Sequence, residues 1–147
     1  MSRRLALLAL LAGLAAPAAG AVPNPQRCEW FADTAMDVCR ATWPEGLDRR
    51  LASAACGVAS VRAYELCMKP EVWSRVIAAQ KRQDWAAYAE IVASGAGTAT
   101  AAGCEEALDL VEVKPSCPAW GERAAALLRT HLREALAARG KPVTGAP

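Results

Sequence analysis

Residues 28–67 read CEWFADTAMDVCRATWPEGLDRRLASAACGVASVRAYELC, and four cysteines in that stretch decide the fold. Ten residues separate Cys28 from Cys39, and ten separate Cys56 from Cys67. Eleven steps of ~100° nearly complete three helical turns, so each pair falls on one face of one helix, about 16 Å apart along its axis. A disulfide joins Cα atoms no more than about 7 Å apart. If the segments are helical, Cys28 does not bond to Cys39, nor Cys56 to Cys67. The partners must come from the other helix.

Two antiparallel helices place facing residues at position numbers of constant sum. Cys28 with Cys67 and Cys39 with Cys56 share the sum 95. The centre falls near Leu47, beside the turn Trp43-Pro44-Glu45-Gly46, where proline and glycine break a helix. Between the two rungs Ala32, Ala35 and Met36 face Ala59, Ser60 and Ala63, mostly small residues, as two closely drawn helices require. The expected framework is Cys28–Cys67, Cys39–Cys56 and, as the remaining pair, Cys104–Cys117. Six cysteines permit about 15 connectivities, and spacing alone leaves the others open.

The twin spacing resembles the helical hairpins of the coiled-coil-helix-coiled-coil-helix family. The resemblance covers residues 28–67 only. That family uses nine-residue spacers where both are ten here, its members are mostly mitochondrial, and this chain is expected to begin with an export signal. The resemblance implies a shared mechanical solution and no function.

The expected signal comprises a basic head, Ser2-Arg3-Arg4, an apolar run from Leu5 to Ala16, and small residues ending Ala19-Gly20-Ala21 before Val22. The apolar run falls short of the ~20 residues that span a bilayer. Cleavage would take Arg3 and Arg4 away, leaving 15 basic against 15 acidic residues in the remainder. A neutral chain offers no electrostatic argument for nucleic acid or for an anionic membrane. Export to an oxidising compartment suits an even set of cysteines, so the expected location is periplasmic or secreted. The expected organisation is a signal over 1–21, a single helical domain over 22–140 and a loose tail over 141–147.

No segment alternates apolar and polar residues over a useful length, so the expected fold class is all-α. A first helix is expected from Pro25 to about Thr42, capped by Asn24, with Cys28, Phe31, Ala32, Ala35, Met36 and Cys39 buried. A second is expected from Leu47 or Asp48 to Met68, where Lys69-Pro70 stops it. Glu71–Gln83 and Trp85–Ser94 read as two helices, or as one helix from Pro70 to Ser94. Residues 94–103 contain only Ser, Gly, Ala and Thr and predict a mobile loop, because nothing in them offsets the entropy of ordering by burial. A short helix, Cys104–Val113, and a last helix from Pro118 to about Arg139 complete the chain. The last helix carries the stripe Ala124, Leu128, Leu132 and Leu136.

Motifs for chemistry are sparse. His131 is the single histidine, and Glu134 lies one turn on. One imidazole and one carboxylate do not make a metal site, which takes three or four ligands. No closely spaced redox cysteine pair, phosphate-cradling glycine loop or nucleophile elbow occurs. No catalytic residue, metal or cofactor is expected. The leading expectation is a non-catalytic module that binds another protein as accessory subunit, inhibitor or adaptor. Its candidate contacts are Trp30 and Trp43, with the acidic row Glu29, Asp33 and Asp37. Two alternatives stand beside it. One is a thiol-redox or other small periplasmic enzyme. The other is a small-ligand carrier with a pocket lined by Trp73, Trp85 and Trp120.

Overall fold

The computed structural model describes residues 22–112, 114–141 and 143, so the expected export signal lies outside the described residues. Five α-helices and no strand occur among them: α1 Pro25–Ala41, α2 Arg49–Cys67, α3 Pro70–Lys81, α4 Trp85–Ala107 and α5 Cys117–Ala138. The fold is all-α.

Each helix starts on a side chain or imino acid suited to the task. Asn24, Asp48, Asp84 and Ser116 accept hydrogen bonds from first-turn amides of α1, α2, α4 and α5, satisfying donors that have no partner within the helix. Pro25, Pro70 and Pro118 sit in first turns, where the missing N–H costs nothing. The turn after α1 contains Gly46 at φ 85°, a left-handed conformation that favours glycine. Residues 70–94 form parts of two helices. Gln83 turns left-handed at φ 54° and Asp84 caps the next helix, its side chain accepting from the Ala87 amide at 3.0 Å.

The disulfides join Cys28 to Cys67, Cys39 to Cys56 and Cys104 to Cys117, with Cα–Cα distances of 5.5, 5.6 and 5.5 Å. The first two run in opposite order along α1 and α2, so these helices are antiparallel. The third closes the connection between α4 and α5.

The largest departure from expectation lies at residues 94–103. They form no loop; they are the middle of α4, the helix that touches every other and packs most extensively on α2 and α5. Ala96, Gly97, Ala99, Thr100 and Gly103 are buried. Their small size is what places them there. A Cβ on Gly103 would stand 2.3 Å from the Ala55 carbonyl oxygen and 2.6 Å from the Ala59 nitrogen. A Cβ on Gly97 would stand 2.6 Å from the Gly121 carbonyl oxygen. The helices meet backbone to backbone, and packing overrides the low helix propensity of glycine, which is about 1 kcal/mol below alanine per site. The expected short helix at Cys104 is accordingly the last turn of α4, followed by Leu108, fully buried in the turn.

Two apolar clusters fill the interior. One runs from Phe31, Ala35 and Val38 through Val92 and Ala96 to Leu128, Leu132 and Leu136. The other surrounds Trp120 with Leu108 and the Cys39–Cys56 and Cys104–Cys117 bridges. In α1 Val38 joins the buried face, while Met36 is only partly buried. The described tail residues are not loose. The Lys141 amide donates to the Leu136 carbonyl at 2.8 Å, its ammonium lies 4.5 Å from the Trp85 ring centroid, and Val143 packs on the first cluster. Residues 142 and 144–147 lie outside the described residues.

Candidate functional site

The first cluster stops short of the surface where the start of α1 meets the end of α2, α3 and the first half of α4. A half-open groove of about 370 Å³ remains there. Its floor and walls are apolar, with Phe31, Leu66, Trp73, Val76, Ile91 and Val92 among them. Why the space exists follows from local structure. The α3–α4 break at Gln83 turns α3 back along α4, and Pro70 starts α3 directly after the Cys28–Cys67 rung. Gly95 keeps the floor low: a Cβ there would stand 3.0 Å from Phe31 Cζ and 3.4 Å from Leu66 Cδ2.

Trp30 forms part of the groove lip and is 52% exposed. Charge at the lip has one sign. Arg27 and Arg139 line the groove, and no aspartate or glutamate does. The Arg27 guanidinium lies 5.5 Å from the Trp73 ring centroid and makes a long contact, 3.5 Å, to Gln80 Oε1. Neither arginine forms an ion pair among the described residues.

The residues singled out from sequence are scattered. Trp43 is 38% exposed beyond the far end of α1 from the groove, so Trp30 and Trp43 do not form one patch. Glu29, Asp33 and Asp37 are exposed and make no ion pair among the described residues. The three remaining tryptophans do not line one pocket. Trp73 walls the groove. Trp85 packs edge-on against Tyr88, ring centroids 5.9 Å apart. Trp120 is fully buried in the second cluster, where its Nε1–H donates to the Cys39 carbonyl at 3.0 Å. A buried indole needs an acceptor, and the end of α1 supplies it.

A second depression lies between α1 and α5, with Trp30, Thr34, Asp37, Leu127, His131 and Leu132 on its walls. His131 is exposed there and Glu134 is exposed one turn on. Among the described residues no group of three potential metal ligands occurs. Every cysteine is bonded, and only Cys67 is more than slightly accessible, through the groove wall.

Two charged links tie α4 to its neighbours away from the groove. Arg129 donates to both oxygens of Glu90 at 2.7 and 3.0 Å, and Ser94 donates to Glu90 at 2.7 Å. The Arg129 bonds chiefly, with Ser94 second, hold the Glu90 carboxyl below its ordinary value against the opposing effect of burial. Arg62 of α2 donates to Glu106 at 2.8 and 2.6 Å and also bonds Glu65, which raises the guanidinium and lowers the Glu106 carboxyl.

Arg27, Leu66, Tyr88, Gly95 and Arg139 line the groove without having been singled out. No local pattern marks them, since they come from three different helices and a helix end. Comparison with protein-family models, curated proteins and solved structures finds no match in any of the three. The class the fold defines is therefore a disulfide-bonded all-α domain with apolar depressions on either side of Trp30. The three disulfides fit an oxidising compartment, and no helix among the described residues is long and apolar enough to cross a membrane.

Proposed function

We propose that the chain is an exported, non-catalytic helical module, periplasmic or secreted, that holds a small apolar ligand in the groove beneath Trp30. The observation that carries this is the contrast in packing. Glycine and alanine close the α2–α4–α5 interfaces to backbone contact, while about 370 Å³ lined by aromatic and branched residues stays open beside α1. That volume lies at the small end of the ~300–1,000 Å³ common for small-molecule sites. The bonded helix pair holds the wall in place before a ligand arrives, which lowers the ordering cost of binding.

A second reading is a protein-docking module, an accessory subunit, inhibitor or adaptor. It draws on Trp30, exposed beside Glu29, Asp33 and Asp37 on the outer side of α1. Calorimetric titration of the oxidised protein with decanol separates the two, and Trp30→Ala, at an exposed position, should weaken binding several-fold. Absence of saturable binding, together with crosslinking of a protein through α1 in the native compartment, would replace the carrier reading with the docking one.

A further inference from the structure

We propose that the groove selects a small apolar carboxylate, its chain on the Phe31–Trp73–Val92 floor and its head group held at the lip by Arg27 and Arg139. This rests on the carrier reading and goes beyond it by naming the ligand's charge. Both guanidinium groups belong to exposed residues on the walls of one apolar cavity. Both lack an ion-pair partner among the described residues, and no carboxylate lines the cavity. Arg27 is held by neutral contacts only, the Trp73 face and Gln80, so its orientation is set while its charge is left for a ligand. Arg139 is the C-cap residue of α5, where the helix end contributes a partial negative charge that offsets part of its own. Lys141 lies against Trp85, whose ring meets the groove residue Tyr88, so a third cation stands at this end of the molecule. An apolar interior with an uncompensated cationic lip discriminates against uncharged and cationic chains and accepts an anion whose oxygens satisfy the guanidinium forks.

The test is calorimetric titration of the oxidised full chain with decanoate, decanol and decylammonium, repeated on Arg27→Gln and Arg139→Gln. Decanoate should bind about tenfold or more tighter than decanol, and decylammonium weakest, because charge-assisted hydrogen bonds favour the anion alone. Each substitution should weaken decanoate about tenfold and leave decanol within about twofold, which separates lost charge from a disturbed fold. Equal binding of decanoate and decanol, or variants that lose both alike, would overturn the carboxylate assignment and leave the carrier reading standing. Failure of all three chains to bind would remove the carrier reading and the assignment with it.

Discussion

Replacing Gly103 by alanine should destabilise the protein, and replacing Gly57 should do the reverse. Both glycines lie inside helices, Gly57 in α2 and Gly103 in α4. Helix propensity alone predicts that each change gains up to about 1 kcal/mol. Surroundings decide the sign. A Cβ on Gly57 meets nothing within 4 Å, so the full propensity gain survives. A Cβ on Gly103 would stand 2.3, 2.6 and 2.9 Å from three backbone atoms of Ala55 and Ala59. Ordinary contact would require α4 and α2 to separate by about 1 Å along a helix that also holds the Cys104–Cys117 bridge. Overpacking of this kind costs about 1–3 kcal/mol or more, and backbone atoms do not swing aside as a side-chain end does. With three backbone atoms in the way the cost falls at the upper end, and after the propensity gain the expected net loss is about 1–2 kcal/mol for Gly103→Ala, a fall of roughly 3–10 °C in melting temperature for a domain of this size. Gly57→Ala should raise it by about 2–5 °C. Thermal unfolding followed by far-ultraviolet circular dichroism on the oxidised proteins measures both. A Gly103→Ala protein as stable as the parent would refute the close α2–α4 contact and return residues 94–103 to the loop that their composition suggests.

Four other outcomes follow from the same packing. Reducing all three disulfides should leave the chain unfolded or molten, since chain-entropy estimates give about 3–4 kcal/mol per bridge against total stabilities of about 5–15 kcal/mol. An unchanged near-ultraviolet spectrum and melting point after reduction would contradict this. Removing Cys28–Cys67 should cost more than removing Cys104–Cys117, by about 0.5 kcal/mol in urea unfolding, because with the nested Cys39–Cys56 bridge intact it closes 39 less 17, or 22, residues instead of 13. Thr100 is fully buried and its hydroxyl has no hydrogen-bond partner among the described residues, so Thr100→Val should stabilise by about 1 kcal/mol, read as a higher urea midpoint. Glu90 is held below its ordinary value of 4.5, so its contribution is complete above the unfolded value and is lost as pH falls through the lower folded one. Because the Arg129 and Glu90 side chains are 31% and 56% exposed, that contribution is about 0.2–1 kcal/mol, and the stabilities of parent and Glu90→Gln should converge as pH falls below the ordinary carboxylate range. A constant difference across pH would show that the pair does not carry it.

What could be read in the chain before folding, and what could not, divides by range. Helix class, the cap at Asn24, the break around Trp43–Gly46 and the matching heights of Cys28, Cys39, Cys56 and Cys67 all depend on periodicity and on residues within a few turns of each other. The bridge geometry then follows from two helices being straight. Residues 94–103 were opaque because glycine means freedom in an isolated chain and close approach in a packed one, and nothing nearby tells which. Only the arrival of Ala55, Ala59 and Gly121 turns that stretch into the centre of the molecule. The groove was hidden for the same reason. Trp30 and Trp73 stand out as tryptophans anywhere, but Trp120 leaves for the opposite cluster to reach the Cys39 carbonyl, and Arg27 and Arg139 come to line one groove only when the two ends of the chain's helical part fold together. Periodicity sets which face of each helix is apolar; which of those faces close on one another, and which stays open, is a matter of volumes contributed by residues far apart in sequence.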